Sequence, residues 1–273
     1  MPPFNQSPVP ANDQAPPPWN SVDLLVYPGA AASPYFAALA NSDRSVTEAL
    51  RLRFQVFNLE LGEGLAAAAL SGLDRDEYDA QMSHLLLVER ATDAVVGTYR
   101  LQTVRHALAH RGLYSAREFQ LDAIAHLFDN AVECGRACIA REHRNFQAVM
   151  ALWLGLGAYL TAARQRYLFG CCSLTSRDAR DGWRALNVLR AGDYLHPVIR
   201  LPATPTFSCG RAHDFAPTQL ESITLPRLFR AYLAIGATAI SEPAIDREFG
   251  TVDFLVLLDT ERVNFARLDV VVR

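Results

Sequence analysis

Apolar side chains recur between Val46 and Leu61 at Val46, Leu50, Phe54, Phe57 and Leu61, the spacing of one helix face, and Ser45 with Glu48 three positions later predicts a capping box at its start. The period then shortens. His84–Glu89 and Val95–Val104 are β-branched and leucine-rich runs around Thr92, Asp93 and Ala94, the pattern of a hairpin. After a mixed region to Asp129 come a strand from Ala131 to Ala140, a long helix from about Phe146 to Arg166 and a strand from Tyr167 to Leu174. The pattern is polar and helical as far as Asp193, and loop chemistry rich in Pro, Thr and Ser fills the stretch between His196 and Pro226. Leu225, Leu228, Phe229, Tyr232 and Leu233 have helical spacing, Gly236 stops that helix, and Thr251–Leu258 is a nearly continuous apolar strand. Strands and helices alternate without an internal repeat, which predicts an α/β or α+β domain and excludes a solenoid.

Nine of the 15 Pro residues precede Tyr35, and Met1–Asn20 holds hardly any large apolar side chain. Residues 1–34 therefore read as a disordered Pro-rich tail and residues 35–273 as one domain. Asn145–Ala163 carries no charge over 19 residues, but Asn145, Gln147, Thr161 and two Gly dilute it, and a buried core helix needs the same composition as a membrane span. Arg44 is the first basic residue and no apolar signal-peptide core precedes it, so a cytoplasmic location is expected, either free or peripheral at the inner membrane face.

Composition narrows the chemistry. The chain has 273 residues, 50% of them hydrophobic and 20% charged, as an ordinary globular protein has. A net charge of −3 provides no basic field for nucleic acid. All 26 basic residues are Arg, which excludes a lysine Schiff base and a Walker A loop. Cys134, Cys138, Cys171, Cys172 and Cys209 include no C-x-x-C pair and read as buried free thiols. There is no G-x-S-x-G, no G-x-G-x-x-G, and no His followed five positions later by Asp. His106 and His110 could share one helix face but lack a third ligand, so no metal site is expected.

What remains is a set of motifs in a fixed order. Leu52-Arg53-Phe54-Gln55-Val56-Phe57 and Glu60-Leu61-Gly62 lie in the first helix, and Asp79 stands five positions before His84. Val96-Gly97-Thr98-Tyr99-Arg100-Leu101, Gly112-Leu113-Tyr114-Ser115-Ala116-Arg117-Glu118-Phe119 and Glu133-Cys134-Gly135-Arg136-Ala137-Cys138-Ile139 follow. His143-Arg144, Ala151-Leu152-Trp153-Leu154-Gly155, Gly170-Cys171-Cys172-Ser173, the block Leu225–Leu233 and Phe249-Gly250-Thr251-Val252-Asp253-Phe254 complete the series. In these motifs the chain, from about Val46 to Asp259, resembles the bacterial ornithine-lipid-forming N-acyltransferases, the hemolysin-like GNAT subfamily. Related N-acyl amino acid synthases and acyl-homoserine-lactone synthases share the Arg53-x-x-x-Phe57, Arg100 and Glu133-x-x-Arg136 elements.

The resemblance implies a GNAT-like α/β fold: a mixed, mostly antiparallel splayed sheet flanked by helices, with a C-terminal extension and the splay between the Ala131 and Tyr167 strands. It implies transfer of a fatty or 3-hydroxyfatty acyl group from acyl-carrier protein to the α-amine of ornithine. Two alternatives stand beside it: an N-acyl amino acid synthase with another acceptor, such as glycine or an aromatic amino acid, and a non-catalytic acyl-carrier or membrane-surface interaction protein.

Amide formation from a thioester needs a neutral amine and no covalent nucleophile on the enzyme. An α-amine with a pKa near 8 costs about 1.4 kcal/mol per pH unit to deprotonate, so one carboxylate is an adequate base. Glu133 is the candidate, with Arg136 and Arg100 as its catalytic companions, and Gly135 signals a bulge that would turn Glu133 and Arg136 toward one cleft. An ion pair from Glu133 to Arg100 or Arg136 is the structural alternative. The resemblance makes Asp79, beside Asp76 and Glu77, a candidate cationic-substrate subsite. Arg53 would pair with an acid and Phe57 line the acyl tunnel, a purely packing role being the alternative for both, and His84 would act either in substrate binding or as a satisfied core histidine. The turn Arg141–Phe146 has no Gly to cradle a diphosphate, which favours a donor carried on the single phosphate of 4′-phosphopantetheine, on acyl-carrier protein rather than CoA. Arg141, Arg144 and Ile139 are the candidate donor contacts, with no tightly bound cofactor.

Overall fold

The computed structural model describes residues 25–27, 33–215 and 223–263. The tail expected over residues 1–34 lies outside the described residues except for strand β1 (Leu25–Tyr27), which pairs with β2 (Tyr35–Leu39), and Ser33–Pro34.

Helix α1 (Asp43–Arg53) starts earlier than its hydrophobic stripe suggests. Ser42 is the N-cap, and Ser45 completes the reciprocal pair by accepting from the Ser42 amide at 3.2 Å. Glu48, expected in that role, pairs instead with Arg51 at 2.7 Å. The chain continues through Phe54–Glu60 in wider π-helical turns, then α2 (Ala68–Ser71). The expected hairpin is β3 (Ser83–Glu89) with β4 (Val95–Thr103), followed by α3 (Val104–Ala109).

Next come β5 (Ala131–Ile139), α4 (Phe146–Ala162), β6 (Tyr167–Thr175) and α5 (Ala179–Ala191). Then follow α6 (Arg227–Ala234), β7 (Thr238–Ala239), β8 (Ala244–Asp246) and β9 (Thr251–Asp259). Helix α4 ends four residues short of the expected Arg166. Arg164 takes a left-handed φ of +54°, and the Gln165 amide reaches back to the Leu160 carbonyl at 2.9 Å. An arginine in the place where glycine is usual hides this stop from a sequence reading.

The strands form one sheet in the order β1-β2-β3-β4-β5-β6-β9-β7, with β8 also on β9. Each strand pair is antiparallel except β5 with β6, which is parallel. Helix α4 covers one face of the sheet, with Trp153, Leu156 and Leu160 against Leu85, Leu87 and Leu101. Helix α1 covers the other, Ala49 packing on Phe36, Leu86 and Val88. Helices α5 and α6 bury Leu186, Leu189 and Phe229 against Phe254 and Val256. The uncharged composition of α4 thus reflects burial, and among the described residues no helix is long and apolar enough to cross a membrane.

Two irregularities shape the centre of this sheet. β5 and β6 pair only at their starts, Ala131 with Tyr167, Val132 with Leu168 and Glu133 with Phe169. Beyond Glu133 they part, β5 following β4 and β6 following β9, which is the splay expected between these strands. Gly170 sits where they separate: any Cβ there would collide with the Cys134 carbonyl. The second irregularity is a bulge. Thr98 pairs with Cys138 but Arg100 with Gly135, so two steps along β4 match three along β5, and Arg136 takes a φ of +50°.

Candidate active site

A cavity of about 280 Å³ occupies the opening between β5 and β6. It passes through the sheet: Tyr99 and Arg100 are consecutive in β4 and so face opposite sides, yet both line it. On the α4 face its wall is apolar. Tyr99, Leu168, Phe229, Tyr232, Val256 and Leu258 line it there, with Tyr99 and Tyr232 joined by their hydroxyls, Trp153 stacked on Tyr232 at 5.3 Å, and the Trp153 indole N–H donating to Tyr99 at 3.3 Å. On the α1 face the wall carries Arg100, Arg136 and several carboxyls.

The arginines on this face belong to a buried network. Arg53 donates from Nε to Asp74 at 2.8 Å and from Nη1 and Nη2 to Asp79 at 2.6 and 3.2 Å. Arg100 donates from Nη1 to Asp76 at 2.6 Å and Asp79 at 3.1 Å. The Arg136 Nε lies 3.3 Å from Asp74, and its Nη2 donates to Asp76 at 3.3 Å. Three guanidinium groups meet three carboxylates, so the network is formally neutral. Burial opposes the charge on Asp79, but Arg53 and Arg100 hold its carboxyl well below the usual carboxylate range. Asp79 is thus committed to arginine and offers no free charge to a cationic substrate, and Glu77 is exposed to solvent. His84 donates from Nε2 to the Asp79 carbonyl at 3.2 Å, its buried Nδ1 has no hydrogen-bond partner among the described residues, and burial pulls its pKa down to about 4, which keeps the ring neutral. Phe57 lines the cavity on the α1 face, edge-on to Phe249 at 5.6 Å, away from the apolar wall.

Glu133 reaches the cavity wall but pairs with neither Arg100 nor Arg136. Its Oε1 accepts from the Ser115 amide at 2.7 Å and from the Ser115 hydroxyl, and its Oε2 accepts from the Tyr114 amide at 3.0 Å and Gln102 Nε2 at 2.7 Å. A carboxylate offers about four lone-pair sites, and four donors fill them. The Tyr114 ring held in this way carries the guanidinium groups of Arg100, Arg117 and Arg136 at 5.0, 5.4 and 5.2 Å, while Arg136 also stacks on Phe249 at 4.1 Å.

Three carboxyls on the same face escaped the sequence reading. Among the described residues Glu118, Asp246 and Asp253 are the group that could hold a cation, one oxygen of each lying within 4.8 Å of the others. Burial, then the Asp253 and Asp246 charges, push Glu118 well above the usual carboxylate range. Burial also pushes Asp253 up to about 6, against the lowering effect of the nearby Ser173 and Thr251 hydroxyls.

At the start of α4, Arg144 donates from Nη2 to Glu60 at 2.7 Å and from Nε to the Ile139 carbonyl at 2.9 Å, and Arg141 is exposed. The side chain of Ile139 packs over Gly97.

The model of the acetyltransferase (GNAT) domain matches residues 52–154, the segment from the end of α1 to the middle of α4. The L-ornithine N(alpha)-acyltransferase of Brucella abortus is 31% identical over 245 residues, covering 83% of this chain and 84% of that protein. The chain belongs to the L-ornithine N(alpha)-acyltransferase family. The enzyme of the same name from Agrobacterium fabrum is 29% identical over 240 residues, 82% of this chain and 80% of that one. The acyl-homoserine-lactone synthase LasI, a solved structure, aligns with a TM-score of 0.46 and 13% identity over 84% of this chain and 91% of that chain.

As a member of this acyltransferase family the chain forms an amide, and its thiols are poorly suited to an acyl-enzyme route. Burial pushes Cys134 up to about 12 and Cys171 and Cys172 well above the ordinary thiol value, so the cavity thiols stay protonated.

Proposed function

We propose that the protein moves a fatty or 3-hydroxyfatty acyl group from acyl-carrier protein to the α-amine of ornithine, the first step of ornithine lipid formation. The observation that carries this reading is the cavity through the β5–β6 opening, apolar on the α4 face and charged on the α1 face. An acyl chain suits the first wall and a zwitterionic amino acid the second. The donor thioester would enter past the start of α4, where the exposed Arg141 and the Arg144–Glu60 pair flank a turn without glycine. That turn supports a single-phosphate carrier over CoA. Ile139, packed over Gly97 at the end of β5, adds an apolar surface beside this turn.

At the junction of the two walls the neutral α-amine attacks the thioester carbonyl, a C–N bond forms, the C–S bond breaks, and the proton lost by the amine nitrogen passes to the departing sulfur, which leaves as the free thiol. Arg136 and Arg100 present guanidinium N–H groups to the acceptor carboxylate, beside the acids that neutralise their charge. In the proposed mechanism Glu133 is a positioning residue, since its lone pairs are filled and it acts through the Tyr114–Ser115 turn on both arginines. The Arg53, Asp79 and His84 cluster anchors Arg100 from behind, and Phe57 with Phe249 closes the acceptor side.

Thiol release from acyl-carrier protein and from CoA bearing the same acyl group, with ornithine as acceptor, tests the reading when coupled to mass spectrometry of the product. N-acyl-ornithine should form with carrier-protein efficiency at least about tenfold above CoA. Equal efficiencies contradict the donor assignment, and thiol release without N-acyl-ornithine contradicts the acceptor.

A further inference from the structure

Glu118, Asp246 and Asp253 come from three distant parts of the chain. Glu118 ends the short turn held by Glu133, Asp246 ends β8, and Asp253 lies in β9, which pairs with β8. All three line the cavity, and they are only 1%, 3% and 3% exposed. Asp246 uses Oδ1 to accept from the Glu248 and Phe249 amides at 2.9 and 2.8 Å, and Asp253 uses Oδ2 to accept from Thr251 at 2.9 Å. Among the described residues Glu118 Oε2 and Asp253 Oδ1 have no hydrogen-bond partner.

Buried acceptors without a donor are uncommon in folded proteins, and where they line a cavity they offer a ligand, an ion or a water a place to bind. The difference from Asp74, Asp76 and Asp79 lies in charge: those three carboxylates each meet an arginine, although Asp74 Oδ1 also has no hydrogen-bond partner among the described residues, whereas the trio lines the cavity with no arginine bonded to it there. Arg117 and Arg136 lie close enough to act on Glu118 electrostatically, but Arg117 pairs with Glu248 and Arg136 with Asp74 and Asp76.

We propose that the Glu118–Asp246–Asp253 trio is the pocket for the side-chain ammonium of the acceptor, and so selects a cationic amino acid over a neutral one of equal length. The assignment rests on the ornithine reading above and deepens it. A primary ammonium has three N–H donors, and the trio offers the unpartnered oxygens of Glu118 and Asp253 together with the Asp246 carboxylate. The same contact has a chemical consequence. A nitrogen held by carboxylates keeps its proton and is not a nucleophile, so the distal amine is protected while the α-amine, nearer the arginines, reacts. Regioselectivity and acceptor selectivity then have one origin.

The test compares L-ornithine with L-norvaline, which has the same carbon chain without the distal amine, using the full chain and an acyl-carrier-protein donor. The parent should favour ornithine at least about tenfold in kcat/KM, and Asp253→Asn and Glu118→Gln should each lower that ratio at least about tenfold, mainly through the ornithine KM. Neither substitution breaks a salt bridge, so both variants should melt at or near the parent temperature. On the parent alone, ornithine should raise the melting temperature more than norvaline at equal concentration. An unchanged ratio in both variants, or equal shifts by the two amino acids, overturns the pocket while N-acyl-ornithine formation still stands. Loss of activity to a chelator with recovery on adding magnesium or manganese assigns the trio to a metal and also overturns it. Failure of the parent to form any N-acyl-ornithine overturns both the acceptor reading and the pocket.

Discussion

Glu133 and Ser115 are joined twice at a single oxygen, the Ser115 amide and hydroxyl both donating to Glu133 Oε1. With the Tyr114 amide on the other oxygen, a residue at the last paired position between β5 and β6 grips the turn whose aromatic ring carries three guanidinium groups. The carboxylate therefore ties the edge of the cavity opening to the placement of Arg100 and Arg136.

Glu133→Gln puts an NH2 group against donors. At least one buried backbone amide loses its acceptor, which costs about 1–3 kcal/mol, and the rate falls with the misplaced arginines. Urea unfolding and the pH–rate profile of the same preparation check this. The acid limb of the profile should survive in the variant, whereas a carboxylate acting as the base would take that limb away with it.

Arg53 is fully buried and is bonded to both Asp74 and Asp79. Arg53→Met leaves these two carboxylates short of positive charge, and a loss of about 3–5 kcal/mol is expected. A urea midpoint that stays within experimental error of the parent would contradict the network's role in stability.

Burial brings His84 from an ordinary 6.5 down to about 4. The unfolded chain takes up this proton first as pH falls, so the contribution is intact above about 6.5 and is lost progressively down to about 4, amounting to roughly 3 kcal/mol. His84→Gln keeps a donor for the Asp79 carbonyl and has no such proton to take up. Thermal melts from pH 7 to pH 4 should show the parent losing stability relative to this variant across that window.

Asp253 runs the other way. Its folded carboxyl is raised to about 6, so the folded chain keeps a proton that the unfolded chain has already released, and this group costs stability as pH rises toward and past 6. Asp253→Asn should therefore gain on the parent between pH 4 and pH 7 in the same melts, and a constant difference would contradict the burial argument.

The architecture was legible wherever a periodic pattern ran unbroken. The β3–β4 hairpin, β5, α4, β6 and β9 lie close to where hydrophobic spacing puts them, and Gly135 marks the bulge next to Arg136. The polar chemistry was legible only in part. Arg53 meets an acid as expected of its place in the Arg53-x-x-x-Phe57 element, but nothing in the spacing of Asp74, Asp76 and Asp79 tells that arginines neutralise all three. The Glu118–Asp246–Asp253 trio is harder still. Its members are brought together by β8 pairing with β9 and by the bridge between Phe119 and Ala203, contacts that leave no local signature. Glu118 and Asp253 stand inside the ordered motifs Gly112–Phe119 and Phe249–Phe254, which was the available signal.

The central claim is that acyl transfer takes place in the opening between β5 and β6, and Gly135 allows it to be tested directly. This residue lines the cavity, its backbone is outside the left-handed region, and a Cβ built on it meets nothing within 4 Å. Gly135→Leu should fold and fill the cavity rather than strain the strand. Single-turnover formation of N-acyl-ornithine, measured beside thermal unfolding, should fall by about a hundredfold or more with the melting temperature held. A variant that melts like the parent and forms product at the parent rate would contradict the claim.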